Sequence, residues 1–241
     1  MNRMVLAETL KRAAPESGAA ITVAGTRAVC EPTGALWLPE FRLLVVSDLH
    51  LEKGAAFARR RQFLPPYDTA ATLALLEQAV ARRDPDIVVS LGDSFHDRIG
   101  SSQLAFPFRE RLSSLARGRQ WIWINGNHDP DGVEGLAGEV ADEIAFGALV
   151  FRHEPKPGRA RGEVAGHLHP AAAVTRWEKT VRRPCFACDG ERLVMPSFGV
   201  MTGGLDLRHR AFGGLFDPAR LTAHLLNAGR VYSVRYGRLS G

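Results

Sequence analysis

The chain has 241 residues, of which 45% are hydrophobic and 24% are charged, and its formal net charge is +5. This length fits one sizeable domain that can bury a continuous core without disulfides, and the composition excludes a disordered or fibrous chain. No apolar run approaches the roughly 18 residues that a membrane helix needs, and the N-terminal sequence lacks the apolar core of a signal peptide. We therefore expect a cytoplasmic protein that does not enter the membrane.

The cysteine content agrees with a reducing compartment. Cys30, Cys185 and Cys188 are too few, and odd in number, for a disulfide framework. Cys185 and Cys188 form a C-x-x-C pair, but no second pair of cysteines or histidines follows at the spacing of a structural zinc site. Two unrelated cysteines beside a turn are the favoured interpretation, and a zinc knuckle is the alternative.

Arginines outnumber lysines and recur in small clusters, at positions 59–61, 82–83, 117–119, 159–161 and 182–183. The guanidinium group suits phosphate because it donates two parallel hydrogen bonds, so the charge is compatible with nucleic acid. A solvated basic surface explains the same charge equally well. Charge alone therefore does not identify a partner.

The predicted elements begin with an arm over residues 1–18, which is either a short amphipathic helix or a loose segment. Residues 21–40 contain two apolar stretches split by Thr33 and Gly34, a pattern that predicts a β-hairpin. A continuous apolar strand that begins at position 41 then delivers Asp48 and His50 at its C-terminal end.

A helix is expected next, from about Asp68 to Arg83, with Asp68 as its N-cap and an apolar face. A second buried strand ends on Asp93, and another helix over residues 101–118 is interrupted near Pro107. A third buried strand over residues 121–125 follows. This alternation of strands and helices predicts a parallel sheet with helices packed on it.

After Gly132 the pattern changes to short strand-like segments separated by turn residues. These segments predict a second sheet, mixed or antiparallel. We expect residues 19–241 to form a single domain built from two facing sheets, and thus an α/β fold.

Polar residues follow each of the three clear strands. Ligands of open α/β sheets gather outside the carboxyl ends of the strands, so residues 47–50, 92–97 and 126–129 are expected to converge at one edge. His153 and residues 166–169 come later, again where short strands run into loops. The two remaining histidines, His209 and His224, are interpreted as ordinary surface or core residues.

The residue types in these segments indicate a metal centre. Two residues separated by one position point to the same face of a straight strand, which predicts that Asp48 and His50 act together, as do His167 and His169. Carboxylate and imidazole ligands without thiolate suit manganese, iron, zinc or cobalt. The candidate ligands exceed what one ion needs and predict two ions that share a carboxylate; they are Asp48, His50, Asp93, Asn127, His153, His167 and His169.

Each motif taken alone has an ordinary explanation. A D-x-H or H-x-H triplet arises by chance, and G-D or G-N-H-D can simply form a turn. Chance does not explain why the whole set occurs in order, each member at a strand end. It would also leave several Asp and His side chains beside apolar strands without partners, which is costly.

The ordered set D-x-H, G-D, G-N-H-D, a single His and G-H-x-H resembles the signature of the calcineurin-like metallophosphoesterase superfamily over about residues 40–170. The resemblance implies an α/β/β/α sandwich of two mixed sheets with a dinuclear centre at their edge. It assigns Asp48, His50 and His169 to one metal, and Asn127, His153 and His167 to the other, with Asp93 as the bridge.

The same resemblance implies three catalytic residues that bind no metal. His128 is similar to the histidine that contacts the phosphate and assists the leaving group, and Asp129 is similar to the acid that orients it. His96 is expected to hold a phosphate oxygen or to orient His128, and a structural role in its turn is the alternative.

Within the superfamily, the segment G-D-S-F-H at positions 92–96 resembles the SbcD-type DNA repair nucleases. Residues 36–54 and 196–204 resemble the ligase-associated DNA damage response endonucleases. This resemblance implies a manganese-dependent phosphodiesterase or endonuclease of DNA repair, with zinc or iron as alternative metals. It implies nucleic acid as substrate and a functional association with a DNA ligase and a helicase. The alternative is an enzyme acting on a nucleotide or another small phosphodiester.

Overall fold

The computed structural model of the protein describes residues 18–62 and 67–240. The predicted arm over residues 1–18 lies outside the described residues apart from Gly18. In the described ranges, two mixed β-sheets face each other, and three α-helices accompany them. The predicted α/β architecture with two mixed sheets is therefore confirmed.

The first sheet carries the N-terminal half of the chain. In spatial order its strands are β1 (Ala19–Val23), β2 (Thr26–Cys30), β3 (Leu36–Leu38), β4 (Leu43–Val46), β5 (Ile87–Leu91), β6 (Gln120–Ile124) and β7 (Glu139–Ala141). Strands β1 to β4 pair antiparallel, whereas β4 to β7 pair parallel. The predicted hairpin thus consists of two consecutive hairpins, because the chain also turns at Ala24 and Gly25.

The three apolar strands β4, β5 and β6 are buried on both faces. On β4, Leu43 and Val45 point into the core between the sheets, while Leu44 and Val46 pack under the helices. The same alternation continues along β5 and β6. Strands covered on both faces read as continuous apolar runs, and this is the pattern from which a parallel sheet was expected.

The helices are α1 (Lys53–Arg59), α2 (Asp68–Arg83) and α3 (Phe106–Ala116). Helix α2 has the expected bounds, but Asp68 is its first helical residue rather than its N-cap, and the Asp68 carboxylate accepts the backbone N–H of Gly54 at 3.0 Å. Pro107 lies in the first turn of α3, where proline is tolerated, so it starts the helix instead of interrupting it. Helix α1 is too short to give a periodic pattern and was not predicted.

The second sheet carries the C-terminal half. Its strands are β8 (Glu143–Phe146), β9 (Leu149–Arg152), β10 (Glu163–Ala165), β11 (Pro170–Arg176), β12 (Lys179–Cys188), β13 (Leu193–Val194), β14 (Leu205–Asp206), β15 (Thr222–Asn227) and β16 (Arg230–Arg235). The spatial order is β14-β11-β12-β13-β10-β9-β8, and the β15–β16 hairpin extends from β12.

The main core lies between the sheets and includes Leu43, Ile122, Phe151 and Phe186, all at most 1% exposed. A second cluster joins the first sheet to α2 and α3. The outer face of the second sheet is covered by residues 205–221, which contain a 3-10 turn at Arg210–Phe212. In the part of the chain that the structure describes, no helix is long and apolar enough to cross a membrane.

Candidate metal centre

The candidate ligands lie in the loops that follow the strands, not on the strands themselves. Strand β4 ends at Val46, and both Asp48 and His50 have positive φ angles, of 54° and 44°. His167 and His169 likewise follow the end of β10, with φ angles of 64° and 43°. The expected strand alternation therefore does not apply. The left-handed backbone aims neighbouring ligands instead, and such conformations persist at functional sites where the surroundings enforce them.

Two glycines of the motifs are required by close packing. A Cβ atom on Gly92 would lie 2.3 Å from Nδ1 of His153, and Gly92 also has a φ of +75°. A Cβ atom on Gly126 would lie 2.2 Å from the backbone nitrogen of Asp93. Gly92 thus lets a loop of the first sheet approach a loop of the second, and Gly126 lets two loops of the first sheet approach each other.

Asp48, His50 and His169 form one ligand group, with one potential ligand atom of each within 4.8 Å of the others. Asp48 is fully buried and His50 is 6% exposed. Nε2 of His169 lies 3.0 Å from Oδ1 of Asp48, and Oδ2 of Asp48 accepts hydrogen bonds from the Ser47 hydroxyl and the His167 backbone N–H. One oxygen of Asp48 is thus held by the protein while the other faces the histidines.

Asp93, His153 and His167 form a second ligand group of the same dimensions. Nε2 of His153 lies 3.4 Å from Oδ2 of Asp93, 3.1 Å from Nδ1 of His167 and 2.9 Å from Oδ1 of Asn127. The side chain of Asn127 therefore lies directly beside this group.

Asp93 lies between the two groups. Its Oδ2 is 3.4 Å from His153 in the second group and 3.9 Å from Nε2 of His50 in the first. Its Oδ1 accepts the backbone N–H of His128 at 2.8 Å, which fixes the carboxylate. This position suits a carboxylate shared by two ions.

The electrostatics of the cluster are those of a cation site. Burial lowers the pKa of His50 to about 3, so its imidazole is neutral and available as a ligand. Burial also acts to lower the pKa of His153, but contact with Asp93 and the charge of Asp48 raise it to about 9. Burial acts to raise the pKa of Asp93, but contact with His153 lowers it to about 2. The protonated His153 thus offsets part of the negative charge of the two buried carboxylates.

The residues present fit divalent metals. Oδ1 of Asp48 and Nε2 of His169 are not aligned as a hydrogen bond, and in the described residues neither these atoms nor Nδ1 of His50 has a hydrogen-bond partner. Leaving buried polar atoms unsatisfied costs about 1–3 kcal/mol each. Oxygen and imidazole donors at this spacing offer a cation what the protein itself does not supply.

His96 and His128 lie beside the first group. Their rings stack with centroids 5.1 Å apart, and the ring of His128 lies 5.2 Å from that of His50. Nδ1 of His128 is 2.8 Å from the backbone oxygen of His96. Because a carbonyl oxygen only accepts a hydrogen bond, Nδ1 carries the hydrogen. Nε2 is then the ring nitrogen that can exchange a proton with a substrate.

Asp129 does not orient His128, in contrast to the expectation. Its carboxylate accepts the backbone N–H groups of Gly126 and Phe95, both at 3.1 Å, and is only 3% exposed. Burial raises the pKa of Asp129 to about 6. Asp129 therefore ties the loop after β6 to the loop after β5, and the His96 carbonyl holds His128 instead.

Two further residues lie next to the site that were not among the predicted site residues. The Ser197 hydroxyl donates to the backbone oxygen of Asp48 at 2.8 Å. Lys53 donates to the backbone oxygen of Met201 at 2.9 Å, and its charge helps to lower the pKa of His96, which burial lowers most, to about 4. Both residues lie in the segments 36–54 and 196–204 that carry the resemblance, but neither lies in a ligand motif, so their place at the site is known only from the fold. The three cysteines are buried and unpaired, and Cys185 and Cys188 lie in the core.

The chain is similar to a solved nuclease. The Pseudomonas putida nuclease MPE is 28% identical, with a TM-score of 0.70 over 90% of this chain and 100% of that chain. Yfce, a phosphoesterase from E. coli, is 18% identical, with a TM-score of 0.39 over 80% of this chain and 98% of that one. A search of curated proteins gave no significant match.

The calcineurin-like phosphoesterase family matches residues 41–191, which include every candidate ligand. This range is more than half of the chain, and it contains both ligand groups together with His96, His128 and Asp129. The match agrees with the two mixed sheets and with the ligand groups at their common edge. The chain therefore belongs to the calcineurin-like phosphoesterase family.

Proposed function

We propose that the protein is a dinuclear phosphodiesterase that hydrolyses nucleic acid. The observation that carries the proposal is the pair of ligand groups joined by Asp93, with the His96–His128 pair beside them. The family makes the enzyme a hydrolase of phosphoester bonds that uses divalent metals. The nuclease activity, the metal and the cellular role belong to the proposal.

The chain offers a complete set of ligands for two ions. Asp48, His50 and His169 would hold one, and Asn127, His153 and His167 would hold the other, with Asp93 shared between them. Manganese is the proposed metal, on the resemblance described above, and zinc or iron would use the same ligands.

When bound, two divalent ions stabilise the charge of the phosphoryl oxygens and supply a nucleophile at neutral pH. The protein positions the substrate between its own groups. Asn127, which is exposed, would contact a phosphoryl oxygen, and His96 would hold another. His128, with a proton on each ring nitrogen, would give the proton on Nε2 to the departing oxygen and keep the one on Nδ1 in its hydrogen bond to the His96 carbonyl.

Nucleic acid as substrate is supported by the 28% identity with a nuclease over nearly the whole chain and by the arginine-rich composition. A role in DNA repair and an association with a DNA ligase and a helicase follow only from the sequence resemblance, and a cytoplasmic location is proposed from the cysteine content. A small phosphodiester substrate is the competing hypothesis, because the same metal centre would hydrolyse it.

One comparison tests the proposal. The manganese-supplemented protein is assayed on bis-p-nitrophenyl phosphate, p-nitrophenyl phosphate, and single-stranded and double-stranded oligonucleotides. We expect hydrolysis of the diester and of at least one oligonucleotide. Hydrolysis of the monoester alone would contradict the proposed diesterase activity. Hydrolysis of the small diester without hydrolysis of any oligonucleotide would contradict the proposed nuclease activity.

A further inference from the structure

The hairpin formed by β11 and β12 begins at the metal centre and extends beyond the core. Strand β11 starts at Pro170, directly after His169, and its backbone is anchored there because Leu205 donates to the oxygen of His169 at 2.8 Å. The first six residues of β12 are exposed, whereas its last four are buried. At about 3.3 Å per residue, the seven residues of β11 span roughly 23 Å.

The tip of this hairpin is a tryptophan in an unusual backbone conformation. Trp177 and Glu178 form the two-residue turn, with φ angles of 53° and 63°. Such turns prefer glycine or asparagine, because other side chains are strained there. Trp177 is nevertheless 82% exposed, more than any other large hydrophobic residue among those described. The indole therefore lies outside the core, and most of its surface is accessible to a ligand.

The strand that follows the tip carries positive charge. Residues 177–183 contain three cations and one acid. Side chains alternate along a strand, so Lys179, Val181 and Arg183 share one face, and Nε of Arg183 is fixed by Asn227 at 2.9 Å. Lys179 and Arg183 are therefore about 13 Å apart along a strip that ends at Trp177.

We propose that this hairpin is a binding arm for single-stranded nucleic acid, with a base stacked on Trp177 and backbone phosphates on Lys179 and Arg183. The inference rests on the proposed nuclease function and assigns its substrate contacts outside the metal centre. Aromatic stacking combined with a basic strip is the arrangement by which proteins hold single strands without reading their sequence. The bound nucleic acid would then run from Trp177 at the tip of the hairpin to the metal ligands beside Pro170 at its base.

Binding is measured first with the metal removed by chelation, using fluorescence anisotropy of a labelled single-stranded oligonucleotide. We expect Trp177→Ala to weaken binding at least about fivefold, the lower end of the loss for one stacked base. Trp177→Phe should restore most of the affinity. Phe106→Ala, which removes another exposed aromatic ring, 72% exposed, is the matched control and should bind like the wild type.

Charge and fluorescence give two independent measurements. Replacing Lys179 and Arg183 by alanine should flatten the dependence of log K on log salt by about 1.4, since each phosphate contact to a single strand contributes about 0.7. Arg27→Ala, at an exposed position on β2, should leave the slope unchanged. Trp37, Trp121 and Trp123 are at most 7% exposed, so quenching of tryptophan emission by the oligonucleotide should disappear in Trp177→Phe.

Hydrolysis separates this proposal from the proposed function. Trp177→Ala should lower the hydrolysis of a single-stranded oligonucleotide and leave that of bis-p-nitrophenyl phosphate unchanged, because the small diester does not reach the tip. Unchanged oligonucleotide binding and hydrolysis in this variant would contradict the binding role of the hairpin and leave the proposed nuclease function unaffected. An equal loss on the small diester would also contradict the binding role of the hairpin. A wild type that hydrolyses only the small diester would refute the nuclease itself and with it the arm.

Discussion

His153 contacts both halves of the ligand cluster. Its Nδ1 lies 3.8 Å from Oδ1 of Asp48, and its Nε2 lies 3.4 Å from Oδ2 of Asp93. These contacts raise its pKa to about 9 against the effect of burial, so without a cation the ring is protonated at neutral pH. Because a metal ligand must give up its proton, loading of the site is coupled to proton release from His153.

At the scale of single residues, His128→Ala tests the distinction between ligand and catalyst. We expect this variant to keep its metal content, since His128 belongs to neither group that Asp93 joins. Hydrolysis of bis-p-nitrophenyl phosphate should fall by about 10²–10⁴-fold, the usual contribution of general acid–base catalysis. Metal content is measured by mass spectrometry and kcat by the release of p-nitrophenol.

The matched control is His209→Ala, which removes an exposed imidazole whose Nδ1 accepts from the backbone of Ala211, away from the centre. It should keep both its metal and its rate. Loss of metal in His128→Ala in parallel with the loss of activity would make His128 a ligand and contradict its assigned role.

Single residues differ in how well the sequence predicts them. The D-x-H and G-H-x-H motifs identify their residues by local pattern, whereas His153 was placed only by its order in the chain. The role of Asp129 was predicted wrongly because its partners, the amides of Phe95 and Gly126, are set by how two loops meet. Local sequence does not contain that information.

At the scale of elements, the loop after β6 is held against the loop after β5 at Gly126. A methyl group there would meet the backbone nitrogen of Asp93 at 2.2 Å and its Oδ1 at 2.3 Å. We expect Gly126→Ala to displace Asp93, to destabilise the protein by about 1–3 kcal/mol, and to lower kcat about 100-fold. Urea unfolding and the diesterase assay measure the two effects.

Gly237→Ala is the control for that substitution, because a methyl group at Gly237 meets nothing within 4 Å and its φ is not positive. It should change neither stability nor rate appreciably. If Gly126→Ala keeps full activity, the close approach of the two loops does not position Asp93.

The β15–β16 hairpin contains a buried histidine whose titration affects stability. Burial lowers the pKa of His224 from 6.5 to about 4, and its Nδ1 lies 2.8 Å from the Ser233 hydroxyl. The unfolded chain binds the proton more readily, so His224 destabilises the fold as pH falls from about 6.5 to 4, by about 3 kcal/mol at most. His224→Gln should remove this loss.

Other buried histidines titrate in the same range, so the difference between wild type and His224→Gln is the quantity to measure. Urea unfolding at pH 7 and pH 4.5 gives it. We expect the variant to gain stability relative to the wild type at the lower pH. An equal difference at both pH values would show that His224 is not buried as a neutral group.

Elements were predictable where local physics decides them. Strands β4, β5 and β6 and helix α2 follow from continuous or periodic apolar residues. The order of the second sheet does not, because β13 inserts between β12 and β10, and β15 pairs with β12 across more than thirty residues. Strands β13 and β10 have only two and three residues and carry too little pattern to choose a partner, and the local sequence of β15 does not say which distant strand it joins.

At the scale of the whole molecule, the metal centre joins the two sheets. Asp48, Asp93 and Asn127 follow strands of the first sheet, whereas His153, His167 and His169 follow strands of the second. Each ligand group contains residues from both sheets. A cation bound to the folded protein therefore links the two sheets through the loops that follow their strands, outside the core between them.

This arrangement predicts that metal binding stabilises the fold. Because only the folded chain assembles the ligands, manganese at 100 times its Kd should add about 2.7 kcal/mol to the free energy of unfolding. For a chain of this size that corresponds to a rise in Tm of about 5–10 °C. Thermal unfolding followed by circular dichroism, after chelation and with added manganese, measures the shift.

Asp93→Asn is the informative variant, since it keeps the size of the shared carboxylate but removes its charge. We expect its Tm to respond much less to manganese, because Asp93 contacts both ligand groups. A Gly237→Ala variant should respond like the wild type. Equal shifts in wild type and Asp93→Asn would mean that manganese stabilises the protein somewhere else. The assignment of the ions to the edge between the sheets would then fail.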